Sequence, residues 1–238
     1  MIFGIRRSGI HLTANFLASQ FDEPVHVINN QNVMQMAEAE QTGVDGKLPE
    51  VNARVVIFEE HPAAAFDIPK VHNYFPTLLG GYKEIHRIVL VRDPYNLFAS
   101  RIKHYPESMS VNKTWVKKDF IRANWLTYCD RFQNPEGMTP VSYNELVRSK
   151  TYRRRISKLI GADHFSDKAM SAVDPNGGGS SFSGTSTPDA QRVLQNHHHY
   201  SDLSAYRDLF EEEYVDYSNK IFNMKVDFTD EGLGNDSK

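Results

Sequence analysis

Apolar and polar positions along the chain follow two alternating periods. Short, nearly continuous apolar runs lie at residues 1–5, 24–28, 54–58, 87–91 and 140–143. Runs of this length, rich in Val and Ile and bounded by turn residues, predict buried β-strands. Between them the apolar residues fall at helical spacing. This is seen from Ile10 to Phe21, from Pro94 through Leu97, Phe98 and Ile102, from Asn112 to Phe132, and from Asp189 to Phe222. Asn144 to Val147 opens a further helix, which carries Arg153, Arg154 and Arg155. Asp93 is a good N-cap and Pro94 suits a first helical position, so a helix is expected to start directly after strand 87–91. Strands alternating with helices predict an α/β fold of three layers, a mostly parallel open sheet with helices on both faces.

The remaining stretches read as connections. Residues 31–50 are polar, 63–86 carry Lys70, His72 and the Gly80-Gly81 turn, and 174–189 are rich in Gly, Ser, Thr and Pro, which predicts a long loop or lid. Residues 1–228 are expected to form one domain, with 229–238 a flexible tail.

Composition changes this picture little. With 238 residues, 40% hydrophobic and 24% charged, the chain can bury an ordinary core. A net charge of −3 gives no global electrostatic case for nucleic acid, so an anion site must be local. The single cysteine, Cys129, excludes an intramolecular disulfide and suits a reducing compartment. No 18-residue apolar run and no basic-then-apolar leader occur, so a soluble, cytoplasmic protein without a membrane span is expected.

Candidate chemistry gathers at strand ends, where open parallel sheets bind their ligands. After the first strand come Arg6, Arg7, Ser8 and Gly9, then the helix from Ile10 and His11. Strand, tight turn and helix make an anion cradle: the first amides of the helix have no intrahelical partner, the helix dipole is positive there, and glycine leaves room for close approach. The ATP-type loop G-x-x-x-x-G-K-[ST] is half present, since Gly4 and Gly9 have its spacing but Ile10 and His11 occupy its Lys and hydroxyl positions. After strand 54–58 stand Glu59, Glu60 and His61, and after strand 87–91 stands Arg92, with Ser100 on the next helix. The three strand ends are expected to converge.

Taken together, Arg6-Arg-Ser-Gly-Ile-His-Leu12 and Arg87-Ile-Val-Leu-Val-Arg-Asp-Pro-Tyr-Asn-Leu-Phe-Ala-Ser100 resemble the sulfotransferases that use 3′-phosphoadenosine 5′-phosphosulfate (PAPS). In that family a first loop holds the 5′-phosphosulfate, and an Arg at a strand end followed eight residues later by a helical Ser holds the 3′-phosphate. Arg92 and Ser100 have that separation. Val141-Ser-Tyr-Asn-Glu-Leu146 looks like the family's Tyr-Glu-Asp-Leu element, with Asn144 in place of its first acid. Residues 1 to about 160 carry these motifs in the family's order. The chain departs from the family at Ile10 and His11, which replace a pair of threonines, and in its Gly177–Gly184 segment, where Arg192 is the candidate basic partner.

The resemblance implies a P-loop-like sulfotransferase architecture and in-line transfer of a sulfuryl group from PAPS to a hydroxyl or amine. The product is 3′-phosphoadenosine 5′-phosphate (PAP), and no metal is required. Arg6, Arg7, Ser8, Gly9, Ile10, His11, Arg92 and Ser100 would bind the nucleotide. A general base would come from Glu59, Glu60 or His61, which follow a well-formed strand, or from His72, since Lys70-Val-His72 resembles the family's Lys-Thr-His triplet. The acceptor would be a small molecule or a glycan, not nucleic acid. A nucleotide-dependent kinase of related fold and a non-catalytic sulfotransferase-like binding protein are the alternatives.

Other groups have plainer readings. Trp115, Phe120, Trp125 and Tyr128 read as core, as does Cys129, and Arg153–Arg155 as a solvated face. Consecutive histidines at 197–199 project about 100° apart on a helix and cannot all meet one ion, so they read as surface.

Overall fold

The computed structural model describes residues 1–23, 25–29, 54–59, 84–104, 118–171, 190–226 and 228. They form an α/β fold around a parallel sheet of β1 (Ile2–Gly4), β2 (Val25–Asn29), β3 (Arg54–Glu59), β4 (Ile88–Val91) and β5 (Thr139–Ser142), in the order β2-β3-β1-β4-β5. All four neighbouring pairs are parallel. The helices are α1 (Ile10–Ala18), α2 (Pro94–His104), α3 (Lys118–Gln133), α4 (Tyr143–Arg148), α5 (Lys150–Leu159), α6 (Ala190–Val193), α7 (Ser204–Arg207) and α8 (Glu212–Phe222). Short 3₁₀ turns lie at Lys168–Ser171 and Asn196–His199.

β1 and β4 are buried along their whole lengths, as apolar central strands of a parallel sheet must be. Their side chains alternate between two cores. Ile2, Ile88, Leu90 and Val141 pack with Ile10, Ala14 and Leu17 of α1 and with Leu146 and Ile156 of α4 and α5. Phe3, Ile5, Val89 and Val91 face the other way, onto Leu97, onto Trp125, Tyr128 and Cys129 of α3, and onto Tyr214 and Phe222 of α8. The connection leaving β1 therefore covers one face and the connection leaving β4 the other. These two strands are hydrogen-bonded neighbours, with Gly4 opposite Leu90. Where adjacent parallel strands send their helices to opposite faces, a crevice opens at the carboxyl ends.

Several expected boundaries move, each for a local reason. α1 stops at Ala18 rather than Phe21. Beyond it Gln20 is buried, donating to the Phe16 and Ser166 carbonyls at 2.8 Å and accepting from Ser157 Oγ at 3.0 Å, which draws the chain toward α5. The basic helix is two helices. Ser149 is extended (φ −118°, ψ 110°) and its hydroxyl accepts the Tyr152 amide, ending α4 and capping α5. Tyr143 belongs to α4 rather than to the strand, because Ser142 caps that helix through the Glu145 amide. The stretch from 189 to 222 is not one helix: α6, a 3₁₀ turn, α7 and α8 follow one another.

Arg153 is no solvated cation. Its Nε donates to Asp167 at 2.7 Å and its Nη1 to the Leu146 carbonyl at 2.8 Å, while Arg154 and Arg155 are exposed. Trp125, Tyr128 and Cys129 are core, as expected. Trp115, the loop at 174–189 and the tail at 229–238 lie outside the described residues. Among the described residues, no helix is long and apolar enough to cross a membrane.

Candidate anion-binding site

The loop between β1 and α1 is a tight turn, closed by the Ser8 amide donating to the Ile5 carbonyl at 2.9 Å. Two of its residues have left-handed backbones, Arg7 (φ 76°) and Gly9 (φ 94°). Gly9 meets a steric demand as well as a torsional one. A Cβ there would lie 2.1 Å from the Tyr143 ring, a separation no side chain can keep. Gly4 is similarly enclosed, since a Cβ would stand 2.8 Å from Ser8 Oγ and 2.9 Å from the Ile10 side chain. Gly9 brings no side-chain cap to α1, and the helix has no acidic residue in its first turn. The positive end of its dipole is thus left uncompensated by the helix's own cap and first turn. Ser8 is buried, and its hydroxyl has no hydrogen-bond partner among the described residues.

Against this loop lies the β4–α2 junction. Arg92, only 5% exposed, sets its guanidinium 4.8 Å from the centre of the Tyr143 ring. Its Nη1 donates to the Arg7 carbonyl at 3.1 Å and its Nη2 to the Val193 carbonyl at 3.3 Å, while Nε has no partner among the described residues. Arg7 Nε donates to Ser100 Oγ at 3.4 Å, and Arg101 Nη1 to the Arg6 carbonyl at 2.9 Å.

The junction is stiffened by Asp93, a fully buried carboxylate. One of its oxygens accepts the Asn96 amide at 2.8 Å and Asn96 Nδ2 at 2.9 Å; the other accepts Asn144 Nδ2 at 2.9 Å. Asn144 Oδ1 in turn accepts the Asp93 amide at 3.2 Å. An amide at position 144 is what this pairing needs, because it donates to the carboxylate with one end and accepts from its backbone with the other.

Arg6, Arg7, Ser8, Gly9, Arg92 and Ser100 are accordingly brought together at the ends of two adjacent strands. The Ile10 side chain is buried in the core and packs against Gly4, which leaves its backbone amide as the group it can offer an anion. His11, on the first turn of α1, is half-buried. The Glu59 backbone pairs with Phe3 at the carboxyl end of β3, next to β1. Glu60, His61, His72 and Gly177–Gly184 lie outside the described residues. Arg192 is exposed, and the segment it introduces meets the junction through the Val193 and Leu194 carbonyls instead.

The histidine run is also corrected in part. His198 and His199 are exposed, but His197 is only 5% exposed and donates its amide to Asn96 Oδ1 at 3.2 Å. Burial, with His198 beside it, pushes its pKa down to about 4, against a smaller pull from Asp93. Burial likewise raises the Tyr143 pKa, opposed by Arg92 and Arg7, and keeps this side chain a neutral phenol. Among the described residues, no group of three His, Cys, Asp or Glu is placed to hold a metal ion.

Sequence reasoning missed Arg101, Tyr143 as the floor beneath both Gly9 and Arg92, and Asn96 as the hub joining Asp93 to residues 194–197. Arg101 had one local signal, its position next to Ser100. No protein-family model matches the chain, and no curated protein matches it significantly.

Proposed function

We propose that this protein is a sulfotransferase that moves a sulfuryl group from PAPS to a hydroxyl or amine of a small-molecule or glycan acceptor. The observation that carries the reading is the meeting of the two resembling motifs: Arg7 Nε lies 3.4 Å from Ser100 Oγ, and Arg92 Nη1 lies 3.1 Å from the Arg7 carbonyl. The sheet order, with helices on both faces, is compatible with the three-layer, P-loop-like architecture that the resemblance implies.

The residues suit a nucleotide with anions at two positions. Ser8 Oγ and Arg92 Nε are buried polar atoms without protein partners among the described residues, and the uncapped start of α1 follows directly on Ser8 and Gly9. When bound, PAPS supplies a sulfuryl group open to in-line displacement. Arg7 and the amides of the loop and first helical turn oppose the negative charge that develops toward the 5′-phosphate. Arg92 and Ser100 hold the 3′-phosphate. A base at Glu59, Glu60 or His61, with His72 as the alternative, takes the acceptor's proton. The lone cysteine suits a cytoplasmic setting.

Calorimetric titration with PAP, compared with ATP plus Mg²⁺, tests this reading. Binding of PAP without metal, tighter than ATP, is the expected result. Preference for ATP with Mg²⁺ would support the kinase alternative, and no response to either overturns the nucleotide site.

A further inference from the structure

Arg7 is the loop's one non-glycine residue with a left-handed backbone, and its side chain reaches across to Ser100. A residue's φ and ψ are the angles between the two rigid peptide planes that flank its Cα. At Arg7 each plane is fastened by a different buried arginine. The plane before it carries the Arg6 carbonyl, which accepts from Arg101 Nη1 at 2.9 Å. The plane after it carries the Arg7 carbonyl, which accepts from Arg92 Nη1 at 3.1 Å, and the Ser8 amide, which donates to the Ile5 carbonyl at 2.9 Å. Arg101 is 4% exposed and Arg92 5%, so the donors of these charge-assisted bonds are themselves buried, and water competes for them less than at the surface. A backbone conformation that an L-residue otherwise avoids persists only where its surroundings over-determine it, and here two guanidinium groups do so.

We propose that Arg101 is a positioning residue for Arg7: by holding the Arg6 carbonyl it fixes the left-handed turn that aims the Arg7 side chain at Ser100 and keeps the loop formed before an anion arrives. The inference deepens the reading of this site as a bisphosphate-nucleotide site and rests on it. Arg101 acts through the backbone of its neighbour and need not touch the nucleotide. Arg92 has a matching second duty, since two of its three nitrogens are spent on protein carbonyls.

The test has a readout without ligand and one with PAP. In Arg101→Met, hydrogen exchange at the Ser8 amide should accelerate, and PAP affinity should fall, each by about tenfold. Arg101→Lys, which keeps a cationic donor, should recover most of both. In an Arg7→Ala background, Arg101→Met should cost less than about twofold further in PAP affinity, because the side chain it positions is gone. If Arg101→Met does not fold, Arg101→Gln carries the same measurements. Unchanged Ser8 exchange overturns the inference, as does an equal loss of PAP affinity with and without Arg7. Accelerated exchange in a protein whose wild type binds no PAP supports the positioning role and overturns the nucleotide reading instead.

Discussion

At the end of β1 the chain enters α1 through Gly9, which offers no side chain to the helix's first amides. At the end of β4 it enters α2 through Asp93, whose carboxylate takes the Asn96 amide at 2.8 Å. The two junctions are adjacent and alike in topology, yet they meet the same electrostatic demand from opposite sources. α2 carries its own anion, buried and held by Asn96 and Asn144. α1 has none, and has Arg6 and Arg7 in the turn before it. A helix start that already holds a carboxylate has no use for a phosphate; one without a carboxylate, next to cations, does. The β4 junction is thus stiffened by its own carboxylate, whereas the β1 junction keeps its first helical amides uncapped, as the proposed 5′-phosphate position requires.

The contrast can be broken most severely at Gly9. Gly9→Ala places a methyl group inside the Tyr143 ring at a left-handed backbone, and should cost roughly 3–5 kcal/mol of stability and abolish PAP binding, read by chemical denaturation and calorimetry.

The β4 junction is the next target. Asn144→Asp sets a second carboxyl against Asp93 and removes the donor now at 2.9 Å. A loss of about 3 kcal/mol at pH 7 is expected. Because the introduced carboxyl can replace that donor only when protonated, the deficit should shrink as the pH falls toward 5; a deficit that does not change with pH would argue against carboxylate repulsion.

The smallest effect concerns His197, packed on Asn96. Its folded pKa, about 4, lies below the ordinary value of 6.5, so the unfolded chain takes up the proton first. Stability should therefore be full above about pH 6.5 and decline by on the order of 2 kcal/mol as the pH falls toward 4. His197→Phe should flatten that limb in thermal melts recorded across the same range.

What could be read from the residues in order was what depends on near neighbours. The β4 run and the Asp93-Pro94 start of α2 declare themselves through periodicity and cap chemistry, and both stand where expected. The joining of Arg7 to Arg92 and Ser100 followed from topology, because ligand sites of parallel sheets gather at carboxyl ends. What stayed hidden depends on partners far along the chain. Arg101 is one more cation on an amphipathic helix until the Arg6 carbonyl, 95 positions away, is seen beside it. His197 sits in a polar run that reads as surface, yet Asn96, 101 positions earlier, buries it. Asn144 looked like a lost acid, whereas it completes the coordination of one already present at Asp93. Ser149 gave no warning of the break between α4 and α5, because a serine within a basic helical pattern becomes a cap only once the backbone extends.

The chain's single thiol also has a practical consequence. Cys129 is buried on α3 among Trp125, Tyr214 and Phe222, and burial raises its pKa well above the ordinary thiol value. A thiol reagent finds neither access nor thiolate there until that helix parts from the sheet. Labelling kinetics of the unmodified protein therefore act as a stopwatch for the opening of this core, with no engineered probe, and the slowing of that clock by a bound nucleotide would show how firmly occupancy of the crevice fastens the face opposite α1.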